Sequence, residues 1–113
     1  MRTTEYTKQF RRDYKRESKG RYRVTLAKDF QETLDFLIYD LDLPHRYHDH
    51  PMLGNWIDHR DCHIKPDLVL IYRKPDQHAL QLVRLGSHSE LSLIRYGIPV
   101  ELIGGRVGLV SCR

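Results

Sequence analysis

Three apolar runs divided by two short proline-containing turns limit the folds open to this chain more than any other feature. Trp56 to Ile64, Leu68 to Arg73 and Ala79 to Leu85 read as strands, with Lys65-Pro66-Asp67 and Lys74-Pro75-Asp76-Gln77 as the turns between them. Proline fixes its own φ and has no N–H to donate, so it interrupts an extended run. Connections this short make neighbouring strands antiparallel, because a parallel crossover needs about a dozen residues or more.

The first half of the chain carries a different periodicity. Residues 2 to 7, with two threonines and a tyrosine, suit a short first strand. From Thr7 to Lys19 the apolar Phe10 and Tyr14 stand four apart, which predicts a helix that packs one face, and Gly20 supplies its stop. Leu26, Phe30, Leu34, Leu37, Ile38 and Leu41 follow helical spacing, so a second helix is predicted from Leu26 to Asp40, with Thr25 as N-cap. Leu43-Pro44 ends it, and residues 45 to 55 read as a polar loop with three histidines.

Strand, helix, helix, then three strands predicts an α+β fold: two N-terminal helices packed on one face of an antiparallel sheet of about four strands. Val100 to Ile103 and Arg106 to Val110 flank Gly104-Gly105, a pair that permits an extra C-terminal hairpin. A length of 113 residues allows one core, and 40% hydrophobic residues take the chain out of the disordered class.

The net charge is +4, and its distribution is uneven. Residues 1 to 24 hold nine Lys/Arg against three acids, and residues 25 to 50 hold two against six. On the first helix Lys8, Arg11, Arg12, Lys15, Arg16 and Lys19 recur every three or four residues as a basic ridge. Such a ridge attracts phosphate backbones whatever their base sequence, although a simply solvated helix face has the same composition. No apolar run is long enough to span a membrane and the first residues are too charged for a signal peptide, so a soluble cytoplasmic protein is expected. Cys62 and Cys112 match no metal spacing and are expected as free thiols, Cys62 buried.

The chemistry is concentrated between His48 and His88. On an alternating strand Ile57, His59, Asp61 and His63 share one face, and His63 and Asp67 straddle a tight turn. The strand ending in Arg84-Leu85-Gly86-Ser87-His88 can lie beside them. Cutting RNA without a metal requires a base for the 2'-hydroxyl proton, a cation for the crowded phosphate and an acid for the leaving 5'-oxygen. Histidine near neutral pH serves as acid or base, and arginine offers a planar fork to phosphate oxygens. The bland readings are surface positions for His59 and His78, loop positions for His45 and His48, and core for Trp56. Neither H-E-x-x-H nor paired C-x-x-C occurs, so no metal or other cofactor is expected.

The run Asp49 to Arg73, DHPMLGNWIDHRDCHIKPDLVLIYR, followed by LVRLGSHSEL, resembles the YafQ branch of the RelE/ParE toxin superfamily. The similarity spans residues 5 to 93 and is densest from Asp49 to His88. It implies a RelE-like fold over residues 1–93, with 94–113 as an extension. It also implies the toxin of a type II toxin-antitoxin system: a ribosome-dependent, metal-independent mRNA endonuclease that cleaves the A-site codon by 2'-hydroxyl attack. The implied partners are a cognate antitoxin, in a hetero-oligomer, and the ribosome with its 16S RNA and A-site mRNA; the free toxin would be a monomer. Carried over, the functional positions are His50, His63, Asp67, Arg84 and His88, with His88 as general acid, while the basic helix would meet ribosomal RNA. The family's aromatic residue about four positions after the last histidine is replaced here by Ser92. Two alternatives stand beside this reading: a non-enzymatic ParE-like gyrase inhibitor, and a decayed toxin that only binds its antitoxin.

Overall fold

The structure, a computed structural model, describes residues 1–91. The extension 94–113, its expected hairpin, Ser92 and Cys112 lie outside the described residues. The meander forms as its turns require: β3 (Arg60–Lys65), β4 (Leu68–Arg73) and β5 (Ala79–Gly86) pair antiparallel in sequence order. β4 is central and all but its last residue are buried, which explains its unbroken apolar sequence. The predicted start of β3 at Trp56 is four residues early. Gly54, at φ 65°, opens a single 3-10 turn over Gly54–Trp56, and the His59 N–H donates to the Trp56 carbonyl at 2.8 Å. His59 therefore leaves the face of Asp61 and His63 and meets the Trp56 ring edge-on at 5.1 Å.

The loop expected from His45 to Asn55 contains a two-residue strand, β2 (His50–Pro51), antiparallel to β3. β1 (Thr3–Tyr6) pairs parallel with β5, giving a mixed five-stranded sheet in the order β1-β5-β4-β3-β2. The three strands joined by the turns are antiparallel as predicted, and β2 adds a fourth that the sequence did not show. β1 escapes that rule because two helices separate it from the rest of the sheet, long enough for a crossover.

Helix α1 (Lys8–Glu17) starts at Thr7, whose hydroxyl oxygen accepts the Phe10 N–H at 3.0 Å. α2 (Leu26–Ile38) ends two residues before the predicted Asp40, which itself takes a left-handed φ of 55°. Thr25 occupies the N-cap position of α2, but its side chain makes no capping bond. Both helices cover one sheet face, where Phe10, Leu26, Phe30, Leu34 and Leu37 pack with Cys62, Leu68, Leu70, Leu80, Leu82 and Leu85. On the opposite face Val69 and Ile71 pack with Met52, Trp56, Val83 and Leu91. Cys62 is a free thiol with no exposed surface.

Candidate active site

The alternation of β3 sends Cys62 into the helix-side core and Asp61 and His63 to the other face. Opposite Asp61 in the β2–β3 ladder stands His50, whose Nε2 lies 3.0 Å from Asp61 Oδ1. The other ring nitrogen, Nδ1, is 2.6 Å from the His48 carbonyl, which can only accept, so Nδ1 carries a proton. Burial pushes the Asp61 carboxyl up to about 6, opposed by the nearby imidazoles of His50 and His88. Asp61 has no exposed surface, so its contact with His50 is made away from solvent.

The turn after β3 brings the second group together. Asp67 accepts from the His88 main-chain N–H at 3.2 Å and from His88 Nδ1 at 2.9 Å. Those bonds, with Arg21 at 3.2 Å, hold the Asp67 carboxyl below its usual range. They also fix the His88 ring so that Nε2 is its free corner: buried, with no hydrogen-bond partner among the described residues. The His63 ring lies 5.1 Å from that of His88, edge to face, and 5.4 Å from that of His48. Burial and the neighbouring imidazoles of His88, His48 and His50 depress His63 to about 4, so at neutral pH it is an uncharged acceptor.

His50, His63, Asp67 and His88 therefore gather as the sequence predicted. Arg84 stands in the cross-sheet row Asp61–Ile71–Arg84 but is not drawn into the histidine cluster. Its Nε and Nη2 bond to the buried carboxylate of Asp13 on α1, at 2.7 and 3.3 Å. A cleft of about 980 Å³ runs from His48, His50 and His63 past Pro66 and Lys65 to Arg46, Pro44 and Leu43. Tyr72 Oη and Arg60 both bond to Asp49, at 2.5 and 3.0 Å, and pin the segment that carries His48 and His50. Lys8, Arg11, Arg12, Lys15 and Arg16 on α1 are all exposed as expected, and so is Lys19, which lies two residues beyond the helix end because α1 stops at Glu17 and not at the predicted Lys19. Arg16 is not simply solvated, because it is tied to Asp13, Glu17 and Glu90.

Two buried carboxylates, Asp61 and Asp13, were not among the predicted site residues. Asp61 was legible as a neighbour of His63 by strand alternation, but its pairing with His50 depends on β2, which spans only two residues. Asp13 carries no local signal at all, since an acid on a charged helix face looks solvated until β5 is laid against it.

Two helices on one face of such a sheet, with a histidine and aspartate site on the other, make this a RelE-like α+β toxin fold. The chain belongs to the YafQ family, whose model, described as the bacterial toxin of a type II toxin-antitoxin system, YafQ, matches residues 2–93. It is 36% identical over 91 residues to the mRNA interferase toxin YafQ of Escherichia coli K12, covering 80% of this chain and 96% of the relative. The toxin in the E. coli DinJ–YafQ toxin-antitoxin complex superposes with a TM-score of 0.69 at 35% identity, covering 80% of this chain and 96% of that one. A metal-bound toxin from Helicobacter pylori superposes with a TM-score of 0.68 at 39% identity, over 80% and 99% of the two chains. Among the described residues of the present chain, no group of three or more His, Cys, Asp or Glu side chains is arranged to hold a metal ion.

Proposed function

We propose that this chain is a toxin that cleaves mRNA in the ribosomal A site by 2'-hydroxyl attack, without a metal ion, and is silenced by an antitoxin bound in a hetero-oligomer. The observation that carries this reading is the contact of His88 with Asp67 and His63, with the His50–Asp61 pair beside them. His63, neutral at pH 7, accepts the 2'-hydroxyl proton. The resulting oxygen attacks the adjacent phosphorus, giving a 2',3'-cyclic phosphate, while doubly protonated His88 gives its Nε2 proton to the departing 5'-oxygen. Asp67 orients the His88 ring through its contact with Nδ1. Arg84 Nη1, uncommitted among the described residues, is left for a phosphate oxygen. The working unit is residues 1–93, with 94–113 as an extension. In solution the free toxin is a monomer.

The test is to map RNA ends on programmed ribosomes incubated with purified protein, with and without o-phenanthroline, which removes transition metals but spares the Mg²⁺ that ribosomes need. Cuts within the A-site codon, with cyclic-phosphate ends and insensitive to the chelator, are expected. His88→Ala lowers the rate by about 10² to 10⁴. Intact mRNA together with inhibited gyrase supercoiling would move the assignment to the non-enzymatic class, and chelator-sensitive cleavage would remove the metal-free mechanism.

A further inference from the structure

Asp13 is 3% exposed on a helix whose lysines and arginines are all exposed. Its carboxylate receives four donors: Arg84 Nε at 2.7 Å and Nη2 at 3.3 Å, Arg16 Nη1 at 3.0 Å, and the Leu85 main-chain N–H at 3.0 Å. Four donors fill the acceptor sites of a carboxylate, so each is fixed in direction. Arg16 completes the grip from the other side. Its Nη2 donates to the Leu85 carbonyl at 2.9 Å and its Nε lies 3.2 Å from Glu90, which in turn accepts the Ser87 N–H at 2.9 Å. Both main-chain polar groups of Leu85 are thus held by α1, immediately before the Gly86-Ser87-His88 segment that leads into the site. At Gly86 an added Cβ would lie 2.9 Å from Arg16 Nη2, so a larger residue there makes the guanidinium shift from its place.

We propose that Asp13, with Arg16, is a positioning residue: it clamps the end of β5 so that Arg84 and His88 keep the separation phosphate cleavage requires. A buried carboxylate with two arginines is a poor device for stability alone, since an apolar cluster of the same volume is often as stable. Its advantage is directional, because the planar fork of Arg84 is locked to the same carboxylate that fixes the strand leading to His88. The catalytic role rests on the functional reading above; the clamp itself does not.

The experiment is a double-mutant cycle in the ribosome cleavage assay with Asp13→Asn, Arg84→Ala and the pair. It is read alongside the Arg84 Nε–H signal in nitrogen-resolved NMR, with β4 amide exchange reporting that each variant is folded. Asp13→Asn is expected to lower kcat by about 10- to 100-fold with KM nearly unchanged, and to add little on top of Arg84→Ala. It should also lose the slow-exchanging Arg84 Nε–H signal. If Asp13→Asn does not fold, Gly86→Ala dislodges Arg16 without removing a charge and is expected to lower kcat in the same sense. A folded Asp13→Asn with wild-type kcat and a protected Arg84 Nε–H, or losses that multiply with Arg84→Ala, overturns the proposal. Should the wild-type chain leave mRNA intact, the functional reading falls together with the catalytic role, while the Arg84 signal still decides whether Asp13 holds the guanidinium.

Discussion

His63 and Asp61 sit two residues apart on one strand face and respond to acid in opposite senses. His63 is depressed from an ordinary 6.5 to about 4, so within that window the unfolded chain binds a proton that the folded protein does not. Its contribution to stability is therefore present above 6.5 and lost as pH falls through about 4. Asp61 is raised from 3.8 to about 6, and there the folded protein keeps a proton that the unfolded chain has released. Its contribution is complete below 3.8 and lost as pH rises through about 6. Urea unfolding at about pH 4.5 and about pH 7.5 separates the two. Relative to the parent, His63→Gln is expected to fare better at the acid pH than at the neutral one, and Asp61→Asn better at the neutral pH. Tilts of the same sign in both variants would contradict the assignment.

At the scale of elements, α1 is fastened at both ends to β5. At its start Thr7 works twice: its hydroxyl oxygen caps Phe10, and its O–H donates to the Val83 carbonyl at 2.8 Å. Thr7→Ala removes the cap and strands a partly buried carbonyl, for an expected loss of about 1 to 2 kcal/mol, measurable by chemical denaturation. The sequence offered Thr25 as a helix cap and read Thr7 only as the start of the first helical stretch, yet it is Thr7 that caps. The bond to Val83 was not legible, since the parallel β1–β5 pairing that sets it is invisible to local pattern. β4 was legible to the residue, because prolines bound it on both sides and both its faces are apolar. β2 was not, because a two-residue strand has no period and forms only where β3 offers it an edge.

The whole molecule separates two tasks. The helices and their core occupy one sheet face, the histidines and aspartates gather on the other, and charge is polarised toward α1. Lys8, Arg11, Arg12 and Lys15 are exposed on that helix and Lys19 just beyond it, and if they meet ribosomal RNA each contact releases counterions. Replacing Lys8, Arg11, Arg12 and Lys15 with glutamine is then expected to weaken ribosome co-sedimentation. The slope of log affinity against log salt should flatten by about 0.7 to 0.9 for each phosphate contact removed. An unchanged slope would assign the ridge to solvent.

Sequence alone determined what is local or periodic: two helices, an antiparallel meander with its turns, a basic first helix, and the set of histidines and aspartates set apart from the core. Residue spacing carries that information because helix and strand periods act over a few residues. The tertiary structure decided what depends on distant segments meeting. It joined β1 to β5, laid His50 against Asp61, and gave Arg84 to Asp13 seventy-one positions away. Those contacts are fixed by how elements pack across the sheet, which helix and strand periods do not encode.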